Sequence, residues 1–182
     1  MTIKLLKFFF LFFIIFQCSN SFAEEIMVKV HKISKDGIGN ETGSIIFKDS
    51  HHGMLVLPNI SDLPVGNHAF HIHENPNCMS GVKNGKKIAG LRAGGHFDPE
   101  RSGHNSHHNH SNKHDKDMKP HGDLPELIAD VNGNATTSVM TNKLKVSQLI
   151  GRSIMIHQYG ENEIGKPKGG GARIACGVIE IK

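Results

Sequence analysis

The feature that most constrains the fold is a series of short segments in which apolar and β-branched residues recur or alternate. Eight such segments occur, each of five to nine residues, and Gly, Asn and Pro residues separate them. Short strands at this spacing are typical of an all-β sandwich or barrel. We therefore predict eight strands, in the segments 26–33, 43–48, 53–57, 68–73, 126–131, 135–141, 153–157 and 173–181.

The connections between these segments differ in character. Asn132-Gly133 predicts a hairpin turn between the fifth and sixth strands, because both residue types tolerate positive φ. Residues 143–150 are compatible with a short helical turn. Two connections, 74–123 and 158–172, are too long to be simple turns, and long loops in a compact domain are usually functional or disordered. We expect these two loops to carry the function.

Residues 1–23 resemble a secretory signal peptide. Lys4 and Lys7 precede a nine-residue apolar run, which is too short to span a bilayer, and Ser21 and Ala23 provide small residues before a cleavage site after Ala23. A lipoprotein anchored through Cys18 is the less favoured alternative, because bulky Gln17 stands where a small residue is needed. We therefore expect one mature domain, residues 24–182, in the periplasm or secreted.

The mature chain has 159 residues, enough for a single domain with its own core. Loss of two lysines leaves 19 basic and 17 acidic residues, a net charge of +2, which is too mild to indicate nucleic-acid binding. No second long apolar stretch follows, so we expect no membrane association after cleavage. No phosphate-binding glycine motif is present in a suitable context.

Two cysteines, Cys78 and Cys176, remain after cleavage. An even pair in an exported chain predicts a disulfide, and the alternative is two buried free thiols.

The segment 68–73 carries three histidines in six positions. Side chains alternate between the two faces of a strand, so His71 and His73 point the same way and can bind one metal ion together. His68 has the opposite parity, and we expect it to be a buried structural histidine bonded to the backbone.

Further motifs add to this pair. The stretches "HAFHIHENPNC", "AGGHFDP", "GDLP", "IMIH" and "GGGARIACGVIEI" occur in this order between residues 68 and 181. Together they resemble the copper–zinc superoxide dismutases, particularly the exported bacterial type. The resemblance implies a flattened eight-stranded Greek-key β-barrel with a copper–zinc site in the two long loops, and superoxide as the substrate.

The resemblance also implies a role for individual residues. It makes His71, His73, His96 and His157 the copper ligands, and His96 the bridge to zinc. It makes Cys78 and Cys176 the disulfide and Arg173 the cation that receives the substrate. It also implies that His96 takes up a proton and helps to deliver it to peroxide. The zinc ligands implied are His96, His104, His121 and Asp123.

The chain departs from the family pattern around zinc. Pro120 stands where the family has its third zinc histidine, so His121 is favoured and His110 and His114 are the alternatives. The acidic residue that links copper and zinc histidines has no clear match, and Glu161 and Glu163 are both candidates. Such outer partners tune metal affinity about 10- to 100-fold.

The chemistry explains these residue types. Superoxide dismutation needs a metal with two oxidation states, which copper has and redox-inert zinc lacks. Imidazoles suit copper, and a set of three histidines with one Asp suits a closed zinc site. Arg173 is a permanent cation for a small anion, and Lys166 and Lys168 are candidates for steering it.

Three further points concern the histidine-rich segment, the rival functions and the oligomeric state. The segment 104–114 holds five histidines and is either a polar loop or a scavenger of extra metal. The rivals to an enzyme with both metals are a metal reservoir without turnover and a copper-only enzyme. The homodimer common among exported relatives has no identifiable interface in the sequence.

Overall fold

The computed structural model describes residues 24–100 and 119–180. Across these residues the chain forms eleven β-strands and two short 3-10 helices. None of the helices in the described part of the chain is long and apolar enough to cross a membrane. The strands are β1 Glu25–Ser34, β2 Gly37–Ser50, β3 Gly53–Ile60, β4 Gly66–His68, β5 Phe70–His73, β6 Gly81–Lys83, β7 Lys86–Ile88, β8 Leu127–Ala129, β9 Val139–Thr141, β10 Arg152–His157 and β11 Arg173–Ile179.

Seven of the strands form one antiparallel sheet in the order β5-β10-β11-β1-β2-β3-β9. Two further pairs, β4 with β8 and β6 with β7, lie outside it. The all-β prediction is therefore confirmed, whereas the described residues contain more strands than the eight expected. The 3-10 helices are Leu91–Ala93 and Val146–Gln148, and the second confirms the helical turn predicted within 143–150.

The predicted strand 68–73 is in fact two strands in two sheets. β4 pairs with β8, and β5 pairs with β10. Ala69 lies at the junction, where its amide donates to the carbonyl of Tyr159 at 2.7 Å and its carbonyl accepts from the amide of His157 at 2.9 Å. The strand is divided because its first part forms backbone hydrogen bonds with β8 and its second part forms them with β10.

The Asn132-Gly133 turn forms, but it does not join a hairpin. Gly133 has φ 79° and its amide donates to the carbonyl of Asp130 at 2.9 Å, but the φ of Asn132 is not positive. β8 pairs with β4 instead, and β9 pairs with β3. The Asn-Gly pair that does close a hairpin is Asn84-Gly85, between β6 and β7, with φ of 52° and 72°. Both φ values are positive, as a two-residue hairpin turn of the primed type demands.

The core explains why the apolar residues alternate. On β1, Val28 and Val30 are buried and Lys29 between them is exposed. β5 differs because all four of its residues are buried. Phe70 and Ile72 belong to the main apolar cluster, and burying each such side chain contributes about 1.5 to 3 kcal/mol. Since alternate residues point to opposite faces, the two histidines of β5 lie on the other face of the same buried strand.

Candidate metal centre

Four histidines from distant parts of the chain meet at one place. One ring nitrogen from each of His71, His73, His96 and His157 lies within 4.8 Å of the others. The rings of His71 and His96 have centroids only 3.9 Å apart. His71, His73 and His157 are buried, and His96 is partly exposed. We call these four residues the histidine cluster.

The backbone brings the cluster together around β5. Its neighbour β10 sets Met155 opposite His71, and two segments of the long loop cross its other side. There His96 bridges to His73 and Asp123 bridges to His71. The loop segment from residue 74 to residue 123 therefore returns twice to the strand from which it started.

Gly122 makes this close return sterically acceptable. The amide of Ile72 donates to the carbonyl of Gly122 at 2.9 Å, and the amide of Gly122 donates to the carbonyl of Phe97 at 2.7 Å. A Cβ atom at position 122 would lie 2.5 Å from the carbonyl oxygen of Ile72. A side chain at position 122 would therefore collide with the backbone of both β5 and the loop unless one of them shifted.

Each buried ring of the cluster has its outward nitrogen bound to an acceptor oxygen. Because carbonyl and carboxylate oxygens only accept, the outward nitrogen must carry the proton. The contacts are His71 Nε2 to Glu161 Oε2 at 2.7 Å, His73 Nδ1 to the carbonyl of Gly94 at 3.1 Å, and His157 Nδ1 to the carbonyl of Gly171 at 3.1 Å.

The inward nitrogens have no such partner. Nδ1 of His71, Nε2 of His73 and Nε2 of His157 are buried and make no hydrogen bond within the described residues. A buried polar atom without a partner costs about 1 to 3 kcal/mol, so three in one place call for an explanation. Since the protons are on the outward nitrogens, the three inward nitrogens present lone pairs to a common point. This donor set fits an imidazole-bound transition metal such as copper.

The protonation states agree with this geometry. Burial lowers the pKa of His71 from 6.5 to about 2, with the neighbouring positive charge of His96 adding to the effect. Burial also lowers the pKa of His73 to about 3 and that of His157 to about 4, and the charge of Arg173 contributes in both cases. All three rings are therefore neutral near pH 7, as metal ligands must be.

His96 connects the cluster to Asp123. Its Nδ1 atom lies 2.7 Å from Oδ1 of Asp123. Burial by itself raises the pKa of the Asp123 carboxyl, but the hydrogen bond from His96 and the nearby positive charges outweigh burial and leave that pKa lowered. Asp123 is thus an anion at neutral pH and holds the His96 ring in one orientation.

Arg173 lies beside the cluster. It is paired with His157 across β10 and β11, after a register shift between Ile156 and His157. Its Nη1 donates to the carbonyl of Gly90 at 2.6 Å and its Nη2 to the carbonyl of Gly94 at 2.9 Å. These two bonds fix the guanidinium next to the buried rings.

Only some of the predicted zinc ligands lie within the described residues. His104, His110 and His114 lie outside the described residues. His121 is described, and its ring turns to other carboxylates: Nδ1 lies 3.2 Å from Oδ1 of Asp98 and Nε2 lies 3.7 Å from Oε1 of Glu100. It is not among the four histidines of the cluster.

Of the two acidic candidates, Glu161 contacts His71 and Glu163 does not. The Glu163 carboxylate instead accepts the amide of Gly160 at 3.3 Å. Sequence reasoning missed Glu126, whose Oε1 accepts the amide of Glu161 at 2.6 Å. No motif marks Glu126, because the contact joins residues 35 positions apart.

Two structural expectations are confirmed. Cys78 and Cys176 are disulfide-bonded, in a small apolar cluster with Ile33, Ala93 and Met155. His68 points away from the histidine cluster and is bonded to the backbone instead. Its Nδ1 lies 2.7 Å from the carbonyl oxygen of His157 and its Nε2 lies 2.7 Å from that of Pro64.

Known proteins share this sequence and this fold. Residues 41–179 match the family described as copper/zinc superoxide dismutase. A copper–zinc superoxide dismutase 1 of Salmonella typhimurium is 40% identical over 167 residues, which is 90% of this chain and 91% of that protein.

Solved structures agree. The copper/zinc superoxide dismutase of Brucella abortus has a TM-score of 0.73 at 39% identity, covering 86% of this chain and 100% of that one. The monomeric copper, zinc superoxide dismutase of Salmonella enterica has a TM-score of 0.70 at 34% identity, with coverage of 86% and 100%. Matches of this extent, together with four convergent histidines, establish that the chain belongs to the copper/zinc superoxide dismutase family.

Proposed function

We propose that this protein is a superoxide dismutase, which converts two superoxide anions and two protons into dioxygen and hydrogen peroxide. The observation that carries the proposal is the set of three buried ring nitrogens, on His71, His73 and His157, that turn lone pairs to one point without a hydrogen-bond partner. His96 completes a four-imidazole set. When bound there, copper supplies the two oxidation states that the reaction needs, and zinc supplies a redox-inert structural ion.

Arg173 receives the substrate in this proposal. A guanidinium has five N–H donors, and two described carbonyls, those of Gly90 and Gly94, accept from it. Its other N–H groups face the small anion, and its charge persists at any physiological pH. Storage of metal needs no anion-binding cation beside the ligands, so Arg173 supports turnover over a metal reservoir.

His96 is the residue that we propose to hold and deliver a proton. It is the one member of the cluster with appreciable exposure, since 28% of its side chain is accessible. Oδ1 of Asp123, 2.7 Å from its Nδ1, orients it, and a zinc ion held by both residues would replace this hydrogen bond. Protons are needed because the peroxide product leaves as the neutral acid, and a partly exposed imidazole exchanges protons with solvent.

For zinc we propose His96, His104, Asp123 and a third histidine, which is His121, His110 or His114. To serve, the ring of His121 has to leave the carboxylates of Asp98 and Glu100. This observation favours a second candidate, a copper-only enzyme in which those carboxylates tie the loop together in place of zinc.

Metal analysis of the purified protein, combined with a superoxide assay, tests the proposal. We expect one copper and one zinc per chain, and activity that depends on copper. Full activity in protein that contains copper but no zinc would support the copper-only candidate. Copper-loaded protein without activity would support the reservoir.

We also propose that residues 1–23 are cleaved and that the domain 24–182 works in the periplasm or outside the cell. The Cys78–Cys176 disulfide supports this location, because such bonds persist in oxidising compartments. A homodimer and a monomer are both compatible with the proposed function, and the Salmonella enterica relative is described as monomeric. N-terminal sequencing of the exported protein and analytical ultracentrifugation test these two points.

A further inference from the structure

Glu126 uses both oxygens of its carboxylate to join two loops. It directly precedes β8, and its Oε1 accepts the backbone amide of Glu161 at 2.6 Å. Its Oε2 accepts from Nδ2 of Asn67 on β4 at 3.0 Å. Hydrogen bonds to an ionised acceptor are among the strong ones in proteins, so Glu126 is a firm anchor for the loop that carries Glu161.

Glu161 is held at its backbone on both sides and at its side chain. Its amide is bound by Glu126, and its carbonyl accepts the amide of Gly169 at 3.1 Å. Its carboxylate reaches Nε2 of His71 at 2.7 Å. Ordering a Glu side chain costs conformational entropy, and this cost is smaller when the backbone of the same residue is already fixed. The anchor therefore favours the one side-chain conformation that contacts His71.

Gly160 provides the space for this anchor. A Cβ atom at position 160 would lie 3.0 Å from Oε1 of Glu126 and 3.2 Å from Cβ of Asn67. A side chain at position 160 would press the Glu126 carboxylate back from the Glu161 amide by a few tenths of an ångström.

We propose that Glu126 is a positioning residue for the metal site: it holds the Glu161 backbone so that the Glu161 carboxylate orients the His71 ring and keeps the proton on Nε2. The lone pair of Nδ1 then points into the cluster. This inference rests on the proposed copper site. In this proposal Glu126 positions Glu161, and Glu161 in turn orients the metal ligand His71.

Competition with a chelator tests the inference. Copper-loaded wild type, E126A, E126Q, E161A and the double variant E126A/E161A are titrated with a copper chelator, and their copper(II) electron paramagnetic resonance spectra are recorded. E163A is the matched control, because Glu163 lies in the same loop without contacting His71. Partners behind a metal-bound histidine typically affect affinity about 10- to 100-fold, so we expect E126A to weaken copper binding about 10-fold.

We expect E126Q, which keeps an acceptor oxygen, to lie closer to wild type than E126A does, and E163A to match wild type. The spectrum of E126A should shift in the same direction as that of E161A, and the double variant should bind copper no more weakly than E161A alone. Wild-type affinity in E126A would overturn the inference, as would a full additional loss in the double variant. If E126A folds poorly, E126D, which keeps the charge but draws the carboxylate back by one methylene group, should weaken copper binding in its place, and unchanged binding there overturns the inference. Failure of the wild type itself to bind copper would instead overturn the proposed function.

Discussion

His73 and Arg173 share one hydrogen-bond acceptor, the carbonyl oxygen of Gly94, at 3.1 Å from His73 Nδ1 and 2.9 Å from Arg173 Nη2. The cation proposed to receive the substrate is thereby tied to the backbone that orients a buried ring of the cluster. We expect R173A to lower kcat/KM about 10- to 100-fold, because the focused positive charge is lost. R173K should lose less, since it keeps the charge but not the planar donor geometry.

Metal content separates loss of substrate attraction from loss of the site. R173A should retain its copper, because Arg173 is not a ligand. R152A is the matched control, since Arg152 binds the carbonyl of Glu74 and stacks on Phe97 instead of reaching the cluster. Wild-type kcat/KM in R173A would contradict the assignment.

His68 predicts a purely structural effect. Both of its ring nitrogens lie 2.7 Å from carbonyl oxygens, one on buried His157 and one on exposed Pro64, so the ring links two backbone segments. H68L removes this link and leaves the buried carbonyl of His157 without its contact, and we expect the free energy of unfolding to fall by about 1 to 3 kcal/mol. Urea denaturation measures this loss, with H31L as the control. A change in unfolding free energy below about 0.5 kcal/mol would show that the His68 ring does not stabilise the fold through these two carbonyls.

The cluster predicts acid sensitivity of the metal-free protein. Folding lowers the pKa of His71, His73 and His157 to about 2, 3 and 4 from 6.5 in the unfolded chain. The unfolded state therefore binds more protons below pH 6.5, and stability is fully present above that pH. It is lost as the pH falls from about 6.5 toward 4, by up to about 1.4 kcal/mol per pH unit for each histidine.

Urea denaturation of the metal-free protein at pH 7, 6 and 5 measures this slope. Replacement of His157 by Gln should make the slope of unfolding free energy against pH shallower by about one third, because one of the three contributing histidines is removed. A slope that the replacement leaves unchanged would contradict the prediction.

Lys166 and Lys168 lie in the loop after His157 and are exposed. If they steer superoxide, kcat/KM should fall with rising salt in the wild type and depend less on salt in K166A/K168A. Lys166 also lies 4.5 Å from the centre of the Tyr159 ring, so K166R serves as a control that keeps the charge over the ring. A flat salt response in both proteins would reject steering by these lysines.

The disulfide joins residues 98 positions apart. Closing so long a loop restricts the unfolded chain, and we expect C78S/C176S to lose about 4 to 5 kcal/mol of unfolding free energy. Thermal and urea denaturation of the variant, compared with disulfide-bonded wild type, measure the loss, and reduced wild type is the control that should match the variant. A difference under about 1 kcal/mol would show that the bond adds little to the packed cluster around it.

Local patterns in the sequence were sufficient for some of these features. The period-two pattern predicted the all-β fold, and the parity within 68–73 predicted that His71 and His73 act together while His68 points elsewhere. Both predictions rest on strand geometry, in which neighbouring side chains face opposite ways, so no knowledge of distant residues is needed. The disulfide was predictable for a different reason, because only two cysteines follow residue 23 in the sequence.

Contacts between distant segments decided the rest. The division of 68–73 into β4 and β5, the choice of Glu161 over Glu163, the turn of His121 toward Asp98, and the anchor from Glu126 depend on which loop backbone approaches which strand. Such approaches are selected by the packing and hydrogen bonding of the whole domain, where a shift of one residue exchanges the two faces of a strand. The sequence by itself therefore determined the residue types and their local directions, and only the tertiary structure decided which of them meet.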